Sequence, residues 1–420
     1  ADVPATAAEA RAELVTALAE PGAPARHHVS LIGHAHIDTA WLWPLRETVR
    51  KCERTFSSAL QLMDTYPDYR FGCSQAVQYE WMRDRHPALF ARIQAQAAAG
   101  RWVPLGGMWV ESDTNLPGGE SLVRQFLYGQ RFFRDHFGTT CREVWIPDVF
   151  GYPASLPQIF RLAGADSFLT QKLSWNRTNR FPHHTFRWTG LDGTSILTHF
   201  PPVETYNCDV TPRELAHANR TFRDHGAATR SLAPFGHGDG GGGPTREQME
   251  RARLLADCDG LPRVTVDTVT GFFDDVRAEY PDPPEWRGEL YFEMHRGTYT
   301  SQARTKAGNR RCEQLLREAE WWSVATSTPV PELTQLWKDT LVLQFHDIIP
   351  GSSIGRVHRE AEAEHDRIAA RAEAIIAELL ATTATAGGRT VLVNPAPVDA
   401  VGIDAHGRAT IVPAGGTAEP

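Results

Sequence analysis

The sequence predicts an α/β protein: a parallel sheet with crossover helices, then a mainly helical region, then a last group of short strands. Three observations predict it. Short apolar, β-branched runs alternate with stretches of helical periodicity as far as Tyr152. Each run ends in a loop rich in Asp, Glu, Trp and Gly. Past a Pro-rich point at 281–284 the periodicity turns helical. Strand–helix alternation marks a parallel sheet, and the loops that follow parallel strands gather on one face.

In chain order, 5–20 is Ala-rich with Leu14 and Leu18 at helical spacing, and a Pro/Gly linker follows at 21–24. Val29-Ser30-Leu31-Ile32 reads as a buried strand. Val49, Cys52, Phe56, Leu60 and Met63 define an amphipathic helix over 45–66. A second strand runs from Tyr69 to about Cys73, one helix covers 77–99, and a third strand starts at Trp102. A helix over 121–136 leads to a fourth strand, Glu143-Val144-Trp145-Ile146. Phe186-Arg187-Trp188 and a strand over 195–200 flank Gly190-Leu191-Asp192-Gly193 as a hairpin. A short strand over 231–235 precedes Gly236-His237-Gly238-Asp239-Gly240-Gly241-Gly242-Gly243, which is either a flexible linker or an active-site loop ahead of a capped helix. It lacks the Lys-Ser/Thr of a phosphate loop. Helical periodicity over 305–328, 331–345 and 356–380 predicts a three-helix bundle. Short strands over 389–396, 400–404 and 409–412 need further structure to cover them, so the chain is expected to stop inside a β domain.

The composition is ordinary for a globular chain, with 43 basic and 51 acidic residues and no basic block, so no nucleic-acid partner is expected. No apolar run of about 18 residues offers a membrane span. Glu9, Arg11 and Glu13 interrupt the N-terminal apolar run, which argues against a signal peptide. Cys52, Cys73, Cys141, Cys208, Cys258 and Cys312 are widely spread with no C-x-x-C pair. Free thiols in a reducing, cytoplasmic compartment are expected. Twelve Trp and nine Tyr mildly favour carbohydrate, whose apolar faces stack on aromatic rings, although most such rings belong to the core. Oligomeric state is not legible; a homo-oligomer is allowed.

His36 and Asp38 leave the end of the first strand. In extended chain a His-x-Asp pair points both side chains the same way, a donor set that suits zinc. A polar loop with a satisfied histidine is the plainer alternative. Asp113 and Asp148 follow later strands and can meet this pair on the same face, and Glu111 and Asp113 are candidate site residues on that ground. His346-Asp347 precedes a Pro-Gly turn and either caps a helix or reaches a neighbouring domain. Trp109 and Trp145 read as packing residues, and His183 and His184 as a surface pair. His295 and Arg296 are open between substrate-side and structural roles.

Six separated blocks resemble glycoside hydrolase family 38, the α-mannosidases, and within it the cytosolic and bacterial branch. They are Gly33-His34-Ala35-His36-Ile37-Asp38-Thr39-Ala40-Trp41-Leu42-Trp43, Gly107-Met108-Trp109-Val110-Glu111, Ile146-Pro147-Asp148-Val149-Phe150-Gly151-Tyr152, the 235–243 block, His295-Arg296-Gly297-Thr298-Tyr299-Thr300-Ser301 and Gln344-Phe345-His346-Asp347. After the N-terminal helix and linker (1–27), the resemblance implies a seven-stranded β/α barrel-like catalytic domain (28–284), a three-helix middle domain (285–383) and the start of a truncated β-sandwich (384–420). It implies His36, Asp38, Asp148 and His346 as zinc ligands, with cobalt as the other metal, Asp148 also as nucleophile and Asp239 as acid/base. Trp41 and Phe150 would wall the sugar subsite and Asp347 would contact sugar hydroxyls. Lys172 falls where Golgi and lysosomal relatives carry arginine.

The implied activity is metal-dependent, retaining, exo-acting hydrolysis of terminal α-mannosides of oligosaccharides. Such a mechanism needs two carboxyl groups about 5–5.5 Å apart, one ionised and one holding a proton. A bound cation keeps the first ionised, and expanded zinc coordination accepts the vicinal O2 and O3 of mannose. Two other readings compete: a zinc-dependent carbohydrate deacetylase, and a mannoside-binding protein descended from the enzyme. Asp148 followed by Phe-Gly-Tyr, together with the distant His346, favours the hydrolase.

Overall fold

Ten strands carry the first part of the chain: β1 (His28–His34), β2 (Phe71–Cys73), β3 (Trp102–Pro104), β4 (Glu143–Trp145), β5 (Ser167–Leu169), β6 (Thr185–Thr189), β7 (Ser195–His199), β8 (Arg230–Phe235), β9 (Arg263–Val266) and β10 (Glu285–Arg287). The computed structural model describes residues 3–17, 27–383, 391–394, 396, 398–403 and 407–418; the linker expected at 21–24 lies outside them. The strands pair into two sheets. In the first, the order is β3-β2-β1-β8 with β9 also on β1, all parallel, and Gly33 lies opposite both Phe71 and Phe235. In the second, β10-β6-β7-β5-β4, the strands β4, β5 and β7 are parallel, and β6 and β7 form the expected hairpin with Thr189 opposite Ser195.

Parallel strands need crossovers, and amphipathic helices supply them. The helix Leu45–Thr65 buries Val49, Cys52, Phe56, Leu60 and Met63, the stripe legible in the sequence. The single helix expected over 77–99 is two, Ala76–Arg85 and Pro87–Ala98. Pro87 has no N–H and disfavours helical backbone at the residue before it, and His86 sits at φ −135°, ψ 59°. The helix Arg246–Leu254 opens with a reciprocal capping box between Thr245 and Gln248. The N-terminal helix Val3–Ala17 is real, but its described side chains are exposed.

Inward-facing residues from both sheets share one apolar cluster: Ile32 of β1, Trp145 of β4, Leu169 of β5 and Leu232 of β8, with Leu105 and the helix residues Phe272 and Phe273. Trp109 and Trp145 are buried packing residues, as expected. His184, expected on the surface, is buried, because its ring accepts the Arg223 N–H and stacks near Phe222.

The chain divides into two units, one comprising Ala1–Lys306 with Leu341–Ala361, the other Ala307–Thr340 with Glu362–Pro420. Three long helices, Ala303–Ala325, Glu332–Val342 and Gly355–Thr383, follow the sheets. In the second unit they bury Cys312, Leu316, Trp337, Ile368 and Ile375, and ion pairs join Arg367 to Asp339 and Arg371 to Glu332. The short strands Ala400–Ile403 and Ala409–Val412 pair antiparallel, as do Leu392–Val393 and Thr417–Ala418.

Candidate active site

The loops after the parallel strands supply nearly every polar group of the site. His36 and Asp38 follow β1, Asp148 and Phe150 follow β4, Lys172 follows β5, Tyr206 follows β7 and Asp239 follows β8. His346 and Asp347 come from the turn after the helix Glu332–Val342. A bridge between Ser112 and Phe345, and the Asp113 N–H donating to the Gln344 carbonyl at 2.9 Å, carry that turn into the strand-end loops.

His36, Asp38, Asp148 and His346 each offer a ligand atom within 4.8 Å of the others, and all four are buried. His36 Nε2 lies 3.0 Å from Asp38 Oδ1, and His346 Nε2 lies 3.6 Å from Asp38 Oδ1 and 3.7 Å from Asp148 Oδ2. The donor set, two imidazole nitrogens and two carboxylate oxygens, is one that zinc accepts. Two observations fit the cluster to a divalent cation. His346 Nε2 is fully buried with no hydrogen-bond partner. Asp38, Asp148, Asp347 and Glu111 are all buried, with Lys172 the buried ammonium among them. Their charge is otherwise met by imidazolium: burial depresses His346, but Asp148, Asp38 and Asp347 raise it to about 10. Burial and then Asp38 raise Asp347 to about 7, so two groups there compete for protons that a cation would displace.

Beside the cluster lies a cavity of about 340 Å³ lined by Asp38, Asp148, Lys172, Tyr206, Asp239 and Asp347 with Trp41, Phe150 and Trp175. The Lys172 ammonium donates to Asp148 Oδ1 at 2.5 Å and lies 4.4 Å from the Trp175 ring centre and 5.0 Å from that of Phe150. Burial pushes the Asp148 carboxyl up, but Lys172, His346 and His36 outweigh it and hold Asp148 well below the carboxylate range. Asp239 moves the other way: burial raises it, His36 opposes, and Asp38 and Asp148 raise it further. The Tyr206 hydroxyl donates to Asp239 Oδ1 at 3.0 Å.

The glycine-rich segment is not a linker. His237 and Gly243 exchange backbone hydrogen bonds, the Asp38 N–H donates to the Asp239 carbonyl, and Arg54 donates to the Gly240 carbonyl. Gly236, at φ +123°, packs against the His34 carbonyl where a Cβ would clash, and Asp239 itself is left-handed at φ +55°. This strained turn aims Asp239 into the cavity.

Trp41, Phe150, Lys172 and Asp347 line the cavity with Asp148 and Asp239. Glu111 and Asp113, candidate site residues by their strand-end position, are not among its lining residues. Both are fully buried behind the wall: Glu111 faces His36 and Ser74, and Asp113 accepts the N–H groups of Asn115 and Leu116 and the Tyr299 hydroxyl. A strand end places a carboxylate at the active edge, but the turn after it decides whether the side chain faces in or back. Tyr206, Trp175 and Ser352 also line the cavity and carry no sequence signal, although Trp175 follows Lys172 closely enough to share its short 3-10 turn, Lys172–Trp175. His295 lines the cavity too, edge-on to Phe150 at 4.7 Å.

Parallel strands whose C-terminal loops gather imidazoles and carboxylates beside an aromatic-walled cavity define an α/β domain with a candidate metal centre. The chain belongs to glycosyl hydrolases family 38: that family's N-terminal domain matches residues 26–289, and the alpha mannosidase middle domain matches 293–382. It is 48% identical over 354 residues to human alpha-mannosidase 2C1, covering 83% of this chain and 34% of that protein. It is 45% identical over 349 residues to alpha-mannosidase of Saccharomyces cerevisiae, covering 78% and 32%. The chain thus spans about a third of the length of these curated relatives. The fold is shared with an alpha-mannosidase from Enterococcus faecalis V583, at a TM-score of 0.75 and 18% identity over 89% of this chain and 46% of that one.

Proposed function

We propose that this chain carries the catalytic site of a metal-dependent, retaining α-mannosidase acting on terminal α-mannosides of oligosaccharides. One observation carries the reading: Asp148 and Asp239 enter a single aromatic-walled cavity from different strand ends, one charge-stabilised by Lys172 and the other hydrogen-bonded by Tyr206. Opposite environments for two carboxyl groups are what double displacement requires. Four curated relatives between 45% and 48% identical bear the name alpha-mannosidase.

In the first step an Asp148 oxygen attacks the anomeric carbon while Asp239 gives its proton to the departing glycosidic oxygen, leaving the sugar esterified to Asp148. In the second, Asp239 takes a proton from water, the water oxygen bonds to the anomeric carbon, and the Asp148 ester bond breaks. Lys172 keeps Asp148 ionised before attack and stabilises it again as it leaves. Trp41, Phe150 and Trp175 exclude water and stack on the ring, and Asp347 accepts from sugar hydroxyls. His36, Asp38, Asp148 and His346 would hold zinc or cobalt, which when bound supplies Lewis-acid polarisation of sugar hydroxyls.

The two sheets read as arcs of one seven-stranded β/α barrel, β8-β1-β2-β3-β4-β5-β7. Supporting this, a Cβ on Gly106, just past β3, would lie 3.2 Å from the Trp145 carbonyl of β4, and the Leu232 N–H of β8 donates to His199 of β7 at 3.2 Å. The three long helices are read as the middle-domain bundle, with domain bounds at 28–284 and 285–383 and the start of a β-sandwich from 384. All six cysteines are free, which suits a cytoplasmic protein.

Proton NMR of an aryl α-mannoside with the zinc- or cobalt-loaded protein tests the proposal. α-Mannose as the first product, suppressed by chelator, is expected. β-Mannose as the first product overturns retention, and release of acetate from an acetylated sugar with no mannoside cleavage overturns the mannosidase reading.

A further inference from the structure

One residue behind the cavity touches both histidines of the cluster. Glu111 Oε2 lies 3.1 Å from His36 Nδ1, an ion-pair contact that is not aligned as a hydrogen bond, and neither atom has a hydrogen-bond partner. The backbone carbonyl of the same residue accepts from His346 Nδ1 at 2.6 Å. A carboxylate and a carbonyl are acceptors only, so each holds the proton on Nδ1 of its imidazole. The Nε2 atoms of both rings are the ones nearest the carboxylates of the cluster, so Nε2 is the atom each ring would turn to a bound cation once the proton there is displaced.

We propose that Glu111 is a positioning residue for the metal: it sets the tautomer and direction of both imidazole ligands, one through its side chain and one through its backbone. The inference rests on the metal reading of the cluster. Glu111 is itself held in place. Ser74 donates to its Oε1 at 2.5 Å, its N–H donates to Gln75 Oε1 at 3.3 Å, and Gln75 Nε2 donates at 2.8 Å to the Ile37 carbonyl, between the two ligands of the first loop. Gln75 adopts a left-handed backbone, φ +67°, to reach both. Filling this space does not need a charge. A glutamine would accept the Ser74 bond equally well, and a bare buried carboxylate is costly. The charge is explained by an imidazole whose Nδ1 proton it fixes and whose basicity at Nε2 it raises.

The full chain, stripped of metal, is titrated with Zn²⁺ against a chromogenic chelator, for wild type, Glu111→Gln and Ser74→Ala. Glu111→Gln is near-isosteric and keeps the backbone carbonyl on His346, so it removes only the half of the device acting on His36. We expect roughly 10–100-fold weaker Zn²⁺ binding in Glu111→Gln and a smaller loss in Ser74→Ala. With Co²⁺ at saturation, the visible ligand-field bands of Glu111→Gln should shift, which a packing role alone would not produce. Wild-type binding matched within twofold by Glu111→Gln, with unchanged bands, overturns the inference while leaving the metal reading standing. Absence of Zn²⁺ binding by wild type overturns both. Should Glu111→Gln not fold, Ser74→Ala decides: affinity equal to wild type counts against the proposal.

Discussion

Asp148 is asked to do two things, and its two oxygens divide them: Oδ1 meets Lys172 at 2.5 Å and Oδ2 faces His346 at 3.7 Å. Asp148→Asn should therefore abolish turnover of an aryl α-mannoside and weaken Zn²⁺ binding together; normal turnover would refute the assigned nucleophile. Asp239 carries only proton transfer. Asp239→Asn should slow cleavage of an alkyl mannoside by about 10²–10⁴-fold but barely slow the first step for a dinitrophenyl leaving group, which needs no proton. Equal losses on both substrates in burst-phase kinetics would remove Asp239 from the acid role. At this scale residue type and strand-end position made His36, Asp38 and Asp148 legible as groups that can meet on one face, while His346 joined them only through the family resemblance; the structure brings these four together. Tyr206 was not legible, since nothing near it in the sequence announces that the coil after β7 turns back over Asp239.

At the scale of elements, two irregular segments close the site and are tied by one ammonium. Lys306 donates to the carbonyls of Thr298, Ser301 and Pro350 at 3.0, 2.5 and 2.9 Å. The first segment brings Thr298 and His295 to the cavity, and the second brings Asp347 and Ser352. Gly351, at φ +104°, allows the close approach, since a side chain there would strike Ser301. Lys306→Met removes this donor from the Ser301 and Pro350 carbonyls, while the Thr298 carbonyl keeps the Ser301 N–H and hydroxyl. We expect faster amide hydrogen exchange over 296–301 and a kcat/KM roughly tenfold lower, with charged-donor hydrogen bonds contributing about 1.5–3 kcal/mol each. Unchanged exchange would show that the brace is dispensable. The regular elements were readable because periodicity reports burial directly: the stripe of the helix Leu45–Thr65 is the stripe seen in the sequence. The break at Pro87 was written in the sequence as well, and the helical pattern on either side masked it.

For the whole molecule, metal and protons pull on stability. If the cluster binds zinc, chelator should lower the melting temperature and zinc restore it, by about 2.7 kcal/mol of stability at a hundred times Kd. A melting curve indifferent to both would argue against a resident metal. A separate dependence comes from buried neutral histidines. Burial, then His225 and His28, lower His27 to about 4; burial, then Arg223, lower His184 to about 3; burial, then His184 and His27, hold His199 well down. Two of these rings accept backbone N–H bonds, His184 from Arg223 and His199 from Leu232. The unfolded chain takes up protons near pH 6.5 and the folded chain does not. Their stabilisation is therefore complete above pH 6.5 and is lost as pH falls below it, by on the order of 1 kcal/mol per histidine per pH unit. The difference in urea midpoint between pH 7.5 and 5.5, compared between wild type and His184→Gln, measures this, because the raised His36 and His346 act in the opposite direction and are common to both proteins. An unchanged difference would show His184 to be protonated at no cost.

The sequence by itself determined the alternation of strands and helices, the family, and the residue types able to bind a metal and perform acid/base chemistry. These follow from local pattern, because periodicity and short motifs encode burial and donor chemistry within a few residues. Only the tertiary structure decided which carboxylates face the cavity and which stand behind it, that His184 is buried, and that one residue after β3 touches two histidines 310 positions apart in the chain, His36 and His346. Those outcomes depend on how turns of two or three residues direct side chains against distant partners, and no periodicity records that.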